Sequence, residues 1–361
     1  MSELLSKGEL IGARYEIRRK IGEGGMQFVY EAHDILTKRL VALKTPKNKS
    51  ATKRFKRSAI VAARVNHPNV AKTLDYIKVG GQRFLIEELI KGDDLAEALL
   101  QETRFIDPYL AAKVFHHLAK GVAAAHHAGV IHRDLKPSNV MVAGGYSLKE
   151  LKITDFGIAK LASDELEEAA VGGSATLSMS QTAVGALPYM APEAIDTPKE
   201  VTVAADIWSL GAMMYHLICG EAPYGTGLRA VRSILAAERP SIPMFLTANP
   251  QFAPLAREVI NIALSCLMRD PVDRPTADEL VTMCSQLCYT SSHRRRGVIR
   301  RIFDHGKFGF IGTESGDVFF HMECVYGTMN LNEGDAVLFS SYDGGGAPRA
   351  LPVIKLNMAQ S

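Results

Sequence analysis

Up to about residue 90, apolar and polar side chains alternate in short runs broken by glycine, which predicts strands with one buried face. Beyond that point the period lengthens. Apolar residues recur at helical spacing over Ala111 to His127, Val203 to Ile218 and Leu255 to Met268, so long helices follow the strands. Residues 289–296, Tyr-Thr-Ser-Ser-His-Arg-Arg-Arg, carry no apolar period and read as a basic linker. Past them, over 297–357, short strands punctuated by glycine return. The order predicts an α+β protein: a β-rich lobe and a helical lobe within residues 12–288, then a small all-β unit.

Composition agrees with two globular bodies. The chain has 361 residues, 47% of them apolar, and a mean hydropathy of +0.01, enough for a sizeable core. It contains no apolar run of about 18 residues, and Met1 to Lys7 has no signal-peptide core. The expectation is a cytoplasmic protein with no membrane partner. All five cysteines follow residue 218, and although Cys284 and Cys288 stand at i, i+4, no second pair completes a metal set. Free, mostly buried thiols are expected.

The chemistry concentrates in His132-Arg133-Asp134-Leu135-Lys136-Pro137-Ser138-Asn139, which sets a base, a cation and an amide ligand at fixed spacing. This stretch resembles the catalytic loop of eukaryotic-like protein kinases. The resemblance implies that Asp134 accepts the proton of an attacking hydroxyl, Lys136 holds the γ-phosphate and Asn139 ligates Mg²⁺. Asp155-Phe156-Gly157 resembles the family's metal-binding motif, which implies that Asp155 is the main metal ligand. Ala191-Pro192-Glu193, Asp206 to Gly211 and Asp270 to Pro275 resemble later landmarks of the same family, with Glu193 and Arg274 expected as a buried ion pair.

Upstream, Ile21-Gly22-Glu23-Gly24-Gly25-Met26-Gln27-Phe28-Val29-Tyr30 reads as strand, glycine turn, strand, and Val41-Ala42-Leu43-Lys44 resembles the strand whose lysine grips the α- and β-phosphates. The resemblance therefore implies a bilobal kinase fold using ATP and Mg²⁺, with Mn²⁺ as an alternative cation. Gly22, Gly24, Gly25, Val29, Ala42, Lys44, Glu87, Glu88, Leu89 and Met141 are the candidate ATP contacts. Lys136, typical of the serine/threonine members of that family, implies serine or threonine acceptors on protein substrates.

Several positions depart from that pattern. Gln27 replaces the third glycine of the loop, leaving the backbone of Gly22 and Gly24 to the phosphates. Ser58 falls where the family has the helix glutamate that pairs with the strand lysine, and no acid occurs between Asp34 and Asp75. Glu87, at the gatekeeper position beside the hinge, is the candidate replacement partner for Lys44; a one-residue slip would turn it to solvent instead. Ala186 replaces a threonine that helps order the catalytic loop. Thr182, then Ser178 and Ser180, are candidate phosphosites in a hydroxyl-rich activation segment, with Arg133 as receiver of the phosphate. The basic run Lys47, Lys49, Lys53, Arg54, Lys56 and Arg57 reads as a solvated face or as an anion site. These departures leave a second reading open: a pseudokinase, a nucleotide-binding scaffold with little turnover.

The last segment contains Gly297 to Ile302, Gly306-Lys307-Phe308-Gly309-Phe310-Ile311 and Asp317-Val318-Phe319-Phe320-His321, and resembles a cold-shock domain, a small OB-type barrel. Alternation places Phe308 and Phe310 on one face and puts Phe319 with His321, leaving Val318 and Phe320 to the core. The resemblance implies a surface for single-stranded RNA or DNA carried by Arg301, Lys307, Phe308, Phe310, Phe319 and His321. Arg301 and Ile302 stand where the family has aromatics, and from residue 289 onward eight Lys/Arg face only seven Asp/Glu. Arg294, Arg295, Arg296, Arg300 and Arg301 are a candidate substitute for the lost stacking surfaces. A barrel that contacts only protein is the alternative.

Overall fold

The computed structural model describes residues 4–24, 27–47, 55, 59–156, 185–289, 293–303, 305–327 and 330–357. Its N-terminal lobe is built on six strands, β1 (Leu10–Ile11), β2 (Tyr15–Glu23), β3 (Gln27–Asp34), β4 (Arg39–Pro46), β5 (Thr73–Val79) and β6 (Gln82–Glu88), in the order β1-β2-β3-β4-β6-β5. All neighbours are antiparallel. Because side chains alternate along each strand, Tyr15, Ile17, Tyr30, Ala32, Val41, Leu43, Phe84 and Ile86 form one apolar cluster. Residues 59–62 are helical, and Ala59 clusters with Phe55 and Leu85. Ser58 lies outside the described residues, as do Lys49, Lys53, Arg54, Lys56 and Arg57; Lys47 forms an ion pair with Glu23 at 2.7 Å.

The second lobe begins with β7 (Asp93–Asp94) and α1 (Leu95–Leu100), followed by α2 (Pro108–His127). Asp107 caps α2, its Oδ1 accepting from Tyr109 N at 3.1 Å and Leu110 N at 3.2 Å, while Pro108 sits in the first turn where a missing N–H costs nothing. Strands β8 (Val140–Ala143) and β9 (Glu150–Ile153) complete a small sheet, β7-β8-β9, beneath the first lobe. The helices α3 (Pro192–Asp196), α4 (Ala204–Cys219), α5 (Ala230–Ala236), α6 (Phe245–Ala248), α7 (Ala253–Ser265) and α8 (Ala277–Ser285) fill the remainder. Helix α4 is buried on nearly every side, as its almost unbroken apolar sequence requires, and stops at Gly220, whose φ of +81° suits glycine. Among the described residues no helix is long and apolar enough to cross a membrane.

The last five strands, β10 (Arg295–Ile302), β11 (Phe308–Thr313), β12 (Gly316–His321), β13 (Ala336–Tyr342) and β14 (Arg349–Lys355), close into a barrel in the order β10-β11-β12-β14-β13. Ile299, Ile311, Val318, Phe320, Val337, Phe339 and Val353 fill it. Gly309 permits β10 to approach, since a Cβ there would lie 2.4 Å from the Arg301 carbonyl oxygen.

The basic stretch read as a linker instead joins the two bodies. Arg295 and Arg296 already belong to β10, and Arg294, 4% exposed at its side chain, bonds the fully buried carboxylate of Asp107 at 2.6 Å. Arg296 bonds Glu102 at 2.8 Å. Tyr326, on the loop after β12, inserts between Phe105, Phe245 and Phe252, with ring centroids 5.7, 6.0 and 5.2 Å away. Asn249 Nδ2 donates to the carbonyls of Glu323 and Val325, and Leu338, Ile354 and Leu356 join the core of the helical lobe. A charge run without apolar period looks solvated in sequence; here acidic residues far away in the chain answer it.

Candidate active site and nucleic-acid interface

The cleft site starts from strand pairing. Ala42 on β4 lies opposite Glu87 on β6, and Lys44 is two residues further along the same face, so the two long side chains meet diagonally across a small alanine. Lys44 Nζ lies 2.6 Å from Glu87 Oε2 and 2.7 Å from Asp155 Oδ1. Lys44 and Glu87 are 6% and 4% exposed. Burial works against the ammonium, but the charges of Asp155 and Glu87 outweigh it and hold Lys44 above its ordinary range. Burial pushes Glu87 up against the pull of Lys44, and Asp155, also opposed by burial, is held down by Lys44. The carboxylate that the helix lacks is thus supplied in charge by β6.

Asp134, Lys136 and Asn139 converge on the lobe below. Asn139 Nδ2 donates to the Asp134 carbonyl at 2.7 Å and to Asp134 Oδ2 at 2.9 Å, and Lys136 Nζ lies 3.1 Å from the same Oδ2. Arg133 and Asp155 both take positive φ, +68° and +60°, a conformation that non-glycine residues keep only when neighbours enforce it. Asp206, 1% exposed at its side chain, enforces the first: its two oxygens accept His132 N and Arg133 N, each at 2.8 Å, and His126 Nε2 lies 3.0 Å from Oδ2. His132 Nε2 donates to the Thr154 carbonyl at 2.9 Å, leaving Nδ1 to accept from Asp134 N, and its ring packs on Phe156. Lower down, Arg274 grips Glu193 at 2.6 and 2.8 Å.

The cation-binding candidates have suitable chemistry. With its amide N–H groups committed to Asp134, Asn139 keeps its carbonyl oxygen for a ligand, and among the described residues both side-chain bonds of Asp155 fall on Oδ1. One carboxylate and one amide carbonyl are hard oxygen donors of the kind Mg²⁺ takes. Of the other sequence candidates, Val29, Leu89 and Met141 are half-buried and Ala42 is buried. The Glu88 carboxylate is occupied by Lys72 N and Lys152 Nζ, both at 2.7 Å. Ala186 is buried, while Gly25, Thr182, Ser178 and Ser180 lie outside the described residues. Gln27, which in sequence only replaces a loop glycine, also brings a side chain into the site, its Nε2 donating to Asp155 Oδ1 at 3.0 Å.

On the barrel, Phe308, Phe310, Phe319 and His321 are half-exposed on neighbouring strands, Phe308 opposite His321 and Phe310 opposite Phe319. Lys307 is exposed beside them. Sequence reasoning missed Phe303, which stacks on Phe308 with centroids 4.8 Å apart and carries the Arg301 guanidinium over its ring at 5.0 Å. An aromatic just past the expected pair was the available signal. Arg294 and Arg296 do not join this surface, since both bond the helical lobe, and Arg300 pairs with Asp317 at 2.7 Å.

Residues 15–284 match the family model described as protein kinase domain, and residues 295–356 match the 'cold-shock' DNA-binding domain. The "Probable serine/threonine-protein kinase PknB" of Lactococcus lactis is 30% identical over 307 residues, 83% of this chain and 46% of that protein. PknA of Corynebacterium glutamicum, a serine/threonine-protein kinase, is 34% identical over 292 residues, 77% of this chain and 57% of its own length. The chain thus spans about half the length of these curated relatives. Among solved structures, Rad53 1-466 in complex with AMP-PNP shares the fold, with a TM-score of 0.58 and 21% identity over 75% of this chain and 64% of that one.

Proposed function

Because the chain belongs to the protein kinase family and carries a cold-shock domain behind its kinase domain, we propose that it moves the γ-phosphoryl group of ATP to serine or threonine hydroxyls of protein substrates in the cytoplasm. The observation that carries this reading is the convergence of Asp134, Lys136 and Asn139 below a lysine held between two carboxylates. Asp134 takes the proton of the acceptor hydroxyl as the new O–P bond forms and the bond to the ADP oxygen breaks. Lys136 and Lys44 neutralise phosphate charge, and the backbone of Gly22 and Gly24 lies against the phosphates. Mg²⁺, held by Asn139 and Asp155, would neutralise charge between the β- and γ-phosphates. Thr182, Ser178 and Ser180 are the proposed autophosphorylation sites. The missing helix glutamate was the main ground for the pseudokinase, and Glu87 on Lys44 removes much of its force.

The barrel's proposed ligand is single-stranded RNA or DNA. Phe303, Phe308, Phe310 and Phe319 form a continuous aromatic patch with Arg301 and Lys307 at its edge, a surface on which bases stack whatever their sequence. One experiment tests both halves: autophosphorylation with labelled ATP and Mg²⁺, beside an Asp134→Ala control, with and without mixed single-stranded RNA, while RNA binding is followed in the wild type and in Phe308→Ala. Incorporation is expected in the wild type and not in Asp134→Ala, with RNA binding weakened by Phe308→Ala. ATP binding without incorporation under any condition would favour the scaffold, and unaltered RNA binding in Phe308→Ala would remove the aromatic platform.

A further inference from the structure

Gln27 is the first residue of β3 and is 7% exposed. Its amide crosses the cleft to Asp155, with Nε2 3.0 Å from Oδ1. Its carbonyl Oε1 is buried and has no hydrogen-bond partner among the described residues. An unpaired buried amide oxygen is costly and rare in a native fold, and an ion that comes and goes is one of the few things that explain it. The surroundings point to a cation. The one positive charge of Lys44 lies between two carboxylates, 2.6 Å from Glu87 and 2.7 Å from Asp155, and among the described residues the Gln27 amide N–H is the other side-chain donor to Asp155.

Distance supports the same conclusion. Two neighbouring oxygens on an octahedral Mg²⁺ with bonds near 2.0 to 2.1 Å lie about 2.9 Å apart. The Gln27 amide already stands 3.0 Å from Asp155 Oδ1, on the carboxylate whose Oδ2 carries no side-chain bond among the described residues. Rotation about the last torsion of a glutamine is soft and roughly twofold, so a half-turn exchanges Nε2 for Oε1 and converts a donor facing Asp155 into a second hard oxygen beside it.

We propose that Gln27 is a further ligand of the divalent cation, offering Oε1 to the Mg²⁺ that Asp155 and Asn139 hold with the nucleotide; this rests on the ATP- and Mg²⁺-dependent reading of the site. Glycine at this place offers only backbone, so in this chain the loop tunes cation affinity through a side chain.

The test is calorimetric titration of the full chain with ATP, first in EDTA and then across a series of Mg²⁺ concentrations, alongside a thermal melt of each variant. Mg²⁺ is expected to tighten ATP binding by the wild type. Gln27→Gly and Gln27→Ala should keep the EDTA affinity within about twofold yet need roughly tenfold more Mg²⁺ for half of the tightening. Gln27→Glu, which adds a charged oxygen, should need less Mg²⁺ than the wild type. An unchanged Mg²⁺ midpoint in the glycine and alanine variants overturns the proposal, and so does tighter ATP binding by Gln27→Gly in EDTA, which would make the side chain a plug that nucleotide displaces. Wild-type protein that binds no ATP at any Mg²⁺ concentration would overturn the kinase reading itself, and this ligand with it.

Discussion

Replacing Glu87 with glutamine keeps the size of the side chain and removes its charge, which isolates the electrostatic part of the Lys44 site. Two unit charges 2.6 Å apart attract by about 6 kcal/mol at an effective dielectric near 20. Most of that is offset by the burial of both groups, and Asp155 at 2.7 Å still holds the ammonium after the change. What is lost is one charge-assisted hydrogen bond that fixes where Lys44 points, worth about 1.5 to 3 kcal/mol. If that orientation is used in the transition state, kcat/KM for ATP falls roughly 10- to 150-fold. Glu87→Asp, which restores charge on a shorter arm, should recover part of it, while the thermal midpoints of the variants stay close. The assay is steady-state phosphorylation with ATP varied at saturating Mg²⁺, accompanied by direct nucleotide binding. Turnover and affinity unchanged in Glu87→Gln, with Asp155→Asn inactive, would refute the argument and reduce Glu87 to a tolerated buried acid.

Further predictions concern stability. Arg294→Ala leaves the fully buried Asp107 without its cationic partner, so unfolding in urea should require about 3 to 5 kcal/mol less; a loss below about 1 kcal/mol would show that the barrel is held by Tyr326 and its neighbours alone. Burial, aided by Lys120 and Lys113, holds His117 down at about 4 from 6.5, and its Nδ1 accepts from Asn69 Nδ2 at 3.0 Å. A depressed folded value means the unfolded chain binds the proton first, so the stability His117 contributes is complete above pH 6.5 and disappears as pH falls toward about 4. Urea midpoints should decline over that window, and less steeply in His117→Gln, which keeps an acceptor for Asn69; equal slopes would exclude the histidine as the source.

How much of this was legible in the sequence depended on how local each constraint is. Asp134, Lys136 and Asn139 lie within a few residues of one another, so the resemblance of one short stretch to a kinase catalytic loop was enough to single them out. Lys44 could be placed because its strand carries its own apolar pattern, and its partner was found by elimination: no acid lies between Asp34 and Asp75, and Glu87 is an acid where burial disfavours one. Gln27 was read only as a replaced glycine that leaves the backbone of Gly22 and Gly24 in place, and nothing local in the sequence showed that its side chain spans 128 positions to reach Asp155. Phe303 was overlooked because it lies one residue beyond the positions that resemblance directed attention to.

The docking of the barrel was illegible for a different reason. Alternation tells which side chains of a strand point outward, but outward residues are covered or bare according to what else the chain brings against them. Leu338 and Ile354 belong to barrel strands, and yet they complete the core of the helical lobe. Strand β10 shows the consequence. At one end Arg296 bonds Glu102, next to Arg294 on the cap of α2; at the other Arg301 covers Phe303 on the aromatic patch. Leu338 of β13, Ile354 of β14 and Tyr326 of the loop after β12 meet the helical lobe, whereas Phe303, Phe308 and Phe319 make their ring contacts within the barrel. Helix α2 in turn carries His126 to Asp206, whose oxygens hold His132 and Arg133 beside Asp134. The barrel is thus bonded to one end of the helix whose other end steadies the loop that holds Asp134.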